Sequence, residues 1–77
     1  MENLLNRITI NSAQLDGKPC IRGMRISVQT ILEFLSAGNT PAQILEQYPL
    51  LTSEDITACL QYAAQISGKE ISYQPLA

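Results

Sequence analysis

The order of apolar and polar positions divides the chain into a front third with strand-like spacing and a remainder with helical spacing. Ile8-Thr9-Ile10 alternates, as a half-buried strand does. Asp16-Gly17 reads as a turn, because glycine takes a positive φ without steric cost. Cys20-Ile21-Arg22 and Arg25-Ile26-Ser27 read as short extended pieces on either side of a bend at Gly23, with Pro19 at a strand start or edge. Residues 1–27 therefore predict a small sheet or an extended β-like arm.

From Ser27 the period becomes helical. Ser27 suits an N-cap, and Val28, Ile31, Leu32 and Leu35 follow at i, i+3, i+4 and i+7, with Phe34 widening the stripe and Gly38 ending it. Thr40 and Gln43 form a capping box around Pro41, so a second helix starts there. Ile44, Leu45 and Tyr48 make its apolar face, and Pro49 stops it. Thr52 with Asp55 repeats the box, and Glu54 and Asp55 suit the positive end of a third helix. Ile56, Cys59, Leu60, Ala63 and Ile66 predict its buried stripe, and Gly68 its end. The tail holds Ile71, Tyr73 and Leu76 and reads as an edge strand or as an arm ordered by a partner. The expected fold is mainly α, in one domain over residues 1–77. A homeodomain-like, helix-turn-helix-type bundle occupies 28–67, the arm 1–27 precedes it, and the tail 68–77 follows.

Size and composition add a partner to this picture. A domain of 77 residues buries only about 60% of its unfolded surface, yet 45% of its residues are apolar and only 16% are charged. That surplus predicts a protein partner or self-association, with a homodimer the default. No apolar run reaches membrane-spanning length, and the first seven residues lack the order of a signal peptide. A cytoplasmic protein with two reduced thiols, Cys20 and Cys59, is the expectation. The chain has no histidine, and its two distant cysteines lack ligand spacing, so neither a metal site nor a histidine-assisted nucleophile is expected. No G-x-G occurs, and Glu54 and Asp55 are neighbours on one helix, not a converging pair. No enzyme activity and no cofactor are expected.

Net charge is −2, unevenly spread. Arg7, Lys18, Arg22 and Arg25 outnumber Glu2 and Asp16 before residue 31. After it, Lys69 stands against Glu33, Glu46, Glu54, Asp55 and Glu70. The front of the molecule is thus suited to an anionic partner. The bland alternative is that Arg22 and Arg25 pair with Asp16 or Glu33 and only hold the arm in place.

Gly17-Lys18-Pro19-Cys20-Ile21-Arg22-Gly23-Met24-Arg25-Ile26-Ser27-Val28 resembles the signature of a widespread bacterial domain-of-unknown-function family now described as VapB-like antitoxins. Ile31-Leu32, Ala37-Gly38, Ile44-Leu45, Tyr48-Pro49, Leu51-Thr52 and Glu54-Asp55-Ile56 continue the likeness, which runs from about Ile8 to Ala64. Met24 and Cys20 depart from it mildly. The resemblance implies the tri-helical fold and an antitoxin of a type II toxin-antitoxin module, partnered by a PIN-like nuclease toxin.

Such a nuclease carries clustered carboxylates, so its blocker needs cations. Lys18, Arg22 and Arg25 fit, since arginine pairs bidentately with carboxylate or phosphate. Tyr73 of the tail adds an aromatic anchor. Reversing the charge of Arg22 and Arg25 together is expected to abolish partner binding and leave the fold intact. The alternative function is a homodimeric DNA-binding transcriptional regulator acting on operator DNA. Its contacts would be Arg7, Thr57 and Gln61, although the acidic start and cation-free outer face of the third helix disfavour reading through that helix.

Overall fold

The computed structural model describes residues 3–68. A 3-10 turn over Leu4–Arg7 leads into strand β1, Ile8–Thr9. A second 3-10 turn, Leu15–Gly17, precedes strand β2, Cys20–Ile21. Three helices follow: α1 over Val28–Ser36, α2 over Pro41–Gln47 and α3 over Ser53–Ser67. The molecule is mainly helical, with one two-stranded antiparallel sheet in which Ile8 faces Ile21 and Thr9 faces Cys20.

The helix boundaries follow the capping chemistry. The Ser27 side chain accepts from the Thr30 N–H, and the Thr40 and Thr52 side chains accept from the N–H groups of Gln43 and Asp55, both boxes closing reciprocally. α1 ends in a Schellman motif. Gly38, at φ +99°, donates its N–H to the Leu35 carbonyl, and Asn39 donates to that of Phe34. At the other special position, Met24 donates its N–H to the Ile21 carbonyl across Arg22 and Gly23, at φ +47° and +71°. Positive φ at both central residues is the primed hairpin turn, whose twist matches the strands it joins. Cys20 then bridges to Ser27, closing a tight loop against the start of α1.

Ile21, Val28, Ile31, Ile44, Leu51, Ile56 and Cys59 form the core, drawn from β2, all three helices and the α2–α3 turn. Phe34 and Tyr48 meet edge to face at its margin, with ring centroids 6.0 Å apart. Three expectations need correction. Ile10 is 63% exposed, because the strand stops at Thr9 and no ladder carries the alternation further. Residues 3–27 form the small sheet and not the alternative extended arm: the Leu4–Arg7 turn packs along α3, and β1 touches it too. That packing covers α3 over a wider arc than one stripe. Asp55 and Ala58, which lie outside the expected stripe, are therefore buried, whereas Leu60 and Ile66, which belong to it, are exposed. The tail expectations, Tyr73 included, lie outside the described residues.

Candidate functional site

The cations of the front segment separate into two groups. Arg22 sits at the hairpin turn in a left-handed conformation that costs an ordinary side chain about 1–2 kcal/mol. Its side chain turns inward. Nε donates to Asp55 Oδ1 at 3.1 Å and Nη2 to Asp55 Oδ2 at 3.0 Å, a two-pronged fork. Nη2 also donates to the Leu50 carbonyl at 2.8 Å. Arg7 Nη1 donates to the same Oδ1 at 3.1 Å, and the Thr52 N–H to Oδ2 at 2.9 Å. Both carboxylate oxygens are thus doubly engaged, as many bonds as a carboxylate readily accepts. The two arginines are also tied through their backbones, since the Arg22 N–H donates to the Arg7 carbonyl at 2.7 Å.

Asp55 is fully buried, while Arg22 and Arg7 keep 40% and 25% of their side chains exposed. Burial pushes the Asp55 carboxyl up. The hydrogen bonds from Arg22, the Thr52 backbone and Arg7, with the Arg22 charge, outweigh it and hold the group below the usual carboxylate range. Asp55 therefore anchors the hairpin, the first turn and the α2–α3 loop to α3. This arrangement corrects two readings. Arg22 holds the front segment in place, but against Asp55 and not Asp16 or Glu33. Charge reversal at Arg22 would place a second carboxylate beside the buried one, so it is expected to destabilise the fold and not only to alter the surface.

Lys18 and Arg25 point elsewhere. Both are exposed, and neither forms an ion pair with a described carboxylate. They line a polar pocket of about 270 Å3 with Leu15, Asp16, Ser27 and Thr30, beside the N-terminus of α1. Lys18 also stands at the edge of a larger groove of about 490 Å3 between α1 and the second half of α3. Pro19, Val28, Leu32, Tyr62, Ala63 and Ile66 give that groove its apolar walls, with Glu33 among its polar residues. Lys18 thus joins an apolar groove to a cation-bearing polar pocket.

The remaining described candidates line neither pocket. Thr57 and Gln61 are exposed on α3, where the Thr57 hydroxyl donates to the Ser53 carbonyl at 3.2 Å. Glu54, at the start of the helix, is kept anionic by backbone and Ser53 hydrogen bonds that lower its pKa. Cys59 is inert as a nucleophile, since burial and then the Asp55 charge push its thiol up to about 11. Among the described residues no cluster of three or more potential metal ligands occurs, and no helix is long and apolar enough to cross a membrane. Sequence reasoning missed the Asp55 anchor and the groove. The capping box marked Asp55 as a local acceptor, but its arginine partners lie 33 and 48 positions away, where no spacing rule reaches.

Comparison with known proteins gives two matches. Residues 8–63 match the family model described as "Protein of unknown function (DUF433)". The fold is similar to the crystal structure of a DUF433 member protein from Anabaena variabilis ATCC 29413, with a TM-score of 0.75 and 35% sequence identity. That likeness covers 78% of this chain and 59% of the other, so the chain spans less than two thirds of its structural neighbour. No curated protein matches the chain.

Proposed function

Since the chain belongs to the DUF433 family, whose model covers most of its length, we propose for it a protein-binding role within that family: an antitoxin that neutralises a PIN-like nuclease by docking on it. One observation carries the reading. The groove between α1 and α3 and the polar pocket that holds Arg25 meet at Lys18, which lines both. An apolar centre with a charged rim is how protein interfaces are built, and Lys18 on the groove with Arg25 in the adjoining pocket, neither in an ion pair among the described residues, favours an acidic partner. Arginine and lysine there can approach clustered carboxylates of a nuclease without first breaking an internal ion pair.

The test is co-expression of the chain with the product of the adjacent open reading frame. The wild-type chain is expected to co-purify with it and to relieve any growth arrest it causes. The Lys18→Glu, Arg25→Glu pair is expected to stay folded by circular dichroism and to lose the complex. A complex that survives both charge reversals at low and high salt refutes the assignment of this face.

The alternative, a homodimeric DNA-binding regulator with a homeodomain-like, helix-turn-helix arrangement, belongs to the same proposal at lower rank. The exposed face of α3 presents Thr57 and Gln61 without a cation, and its start carries the anionic Glu54. DNA affinity derives mainly from phosphate neutralisation. With Arg7 and Arg22 committed to Asp55, Lys18 and Arg25 are the cations best placed to contact phosphate. A mobility shift on the chain's own promoter across a salt series separates the two roles.

A further inference from the structure

α1 departs from the charge pattern that helices favour. Acidic side chains stabilise a helix at its start and basic ones at its end. α3 follows the rule, with Glu54 and Asp55 in its first turn. α1 has no acidic residue in its first turn and no basic residue in its last. Instead, Lys18 and Arg25 line the pocket beside its start, and Glu33 stands in its last turn. Glu33 also lines a further hollow, of about 440 Å3, with Phe34, Ala37 and Tyr48. Phe34 and Tyr48 pack edge to face, so the ring that presents its edge keeps both faces clear of its neighbour. A carboxylate beside aromatic rings, at the negative end of a helix, is a receptor for a guanidinium. Among the described residues neither Arg25 nor Glu33 enters an ion pair, and Asp16, which shares the first pocket with Arg25, enters none either.

We infer that this hollow takes Arg25 from a second copy of the chain, in a twofold dimer whose α1 helices run antiparallel. Both halves of the contact lie along α1. Ser27 and Thr30 line the cationic pocket, and Thr30, Phe34 and Ala37 line the hollow. These four follow at i, i+3, i+7 and i+10, one side of the helix and its cap. Thr30 lines both spaces and so marks the middle of that side. A twofold axis at Thr30 sets residue 27 of one copy against residue 33 of the other, three positions to either side. The Arg25 guanidinium of each copy then meets the Glu33 carboxylate and the ring pair of the other, and the contact is made twice because such an interface is self-complementary. Charge selects this occupant. The cation and the anion each lack an ion pair within the described residues, and one symmetry operation pairs both. Antiparallel α1 helices also bring the negative end of each towards the cations beside the start of the other. The dimer does not rest on the nuclease reading, although the two complexes would compete for Arg25.

Sedimentation velocity on the full chain, from micromolar to millimolar, tests the dimer. The wild-type chain is expected to pass from monomer to dimer over that range. Arg25→Glu and Glu33→Arg, each checked for folding by circular dichroism, are expected to weaken the dimer at least about tenfold, since each replaces two attractive contacts by two repulsive ones. Mixed in equal amounts, the two single variants are expected to pair about as well as wild type, because both contacts across the axis again join opposite charges. A wild-type chain that stays monomeric at millimolar concentration overturns the inference. So does a dimer indifferent to both substitutions, or a mixture that associates no better than either variant alone. A measurement that needs no variant uses mixed isotope-labelled and unlabelled wild-type chains: Overhauser contacts between chains, from the Arg25 side chain to the Tyr48 ring, are expected, and their absence in the dimer overturns the inference. With the product of the adjacent open reading frame, Glu33→Arg is expected to keep the complex that Lys18→Glu with Arg25→Glu loses. A wild-type chain that is monomeric alone yet binds that product sinks only the present inference. A dimer restored by the charge exchange, with no such complex, sinks only the nuclease reading.

Discussion

Replacing Asp55 by asparagine tests the central structural claim. The amide keeps the shape of the side chain but removes its charge and puts an NH2 group where one oxygen accepted two donors. Four hydrogen bonds at 2.9 to 3.1 Å are then weakened or opposed by donor–donor contact. Breaking a fully buried ion pair costs about 3–5 kcal/mol. Here Arg22 and Arg7 are 40% and 25% exposed and can recover water, which lowers the expected loss to about 3 kcal/mol. At about 0.05–0.15 kcal/mol per residue, a domain of 77 residues has only about 4–12 kcal/mol in total. The substitution should therefore remove a large share of the stability. Urea unfolding followed by helical circular dichroism reads it as a lower midpoint with an unchanged slope. If Asp55→Asn leaves too little folded protein, Arg22→Met is the measurable substitute, with a loss of about 1–3 kcal/mol for its charged hydrogen bonds. A double-mutant cycle between the two positions should show coupling above about 0.5 kcal/mol. A loss below about 1 kcal/mol for Asp55→Asn, or additive single effects, would refute the anchoring role.

Three further outcomes follow from the same geometry. The folded-state pKa of Asp55 is depressed, so its stabilisation is fully present above the unfolded value of about 3.9 and is lost as pH falls through the folded value. Urea midpoints should fall as the pH drops below about 4, and that fall should shrink in Asp55→Asn. Gly38→Ala should cost about 1 kcal/mol, because φ is +99° and no atom lies within 4 Å of the new Cβ, which leaves only backbone strain; a neutral result would remove the Schellman assignment. Native protein should resist thiol alkylation at neutral pH at both Cys20 and Cys59, with labelling that rises only on unfolding, as read by mass spectrometry.

What the sequence determined by itself is local. Ser27, Thr40 and Thr52 marked the starts of the three helices, because an N-cap, with or without a closed box, involves only residues three positions apart. Gly38 marked an end, because only glycine takes the left-handed position without cost. The period-2 fragment at Ile8 and the Gly23 bend were legible for the same reason: each obeys a rule about near neighbours. The tertiary structure decided what pairs across distance. It turned Arg22 and Arg7 from surface cations into the ligands of a buried carboxylate, and left Lys18 and Arg25 to face outward together. It also set the arc of α3 that is buried. A helical wheel gives the angle of each residue but not how many neighbours press on the helix. The Leu4–Arg7 turn packs along α3 from one side, and Ile66 near its other end stays 49% exposed. Charge pairing and coverage depend on which surfaces meet, and surfaces meet only once the chain has folded.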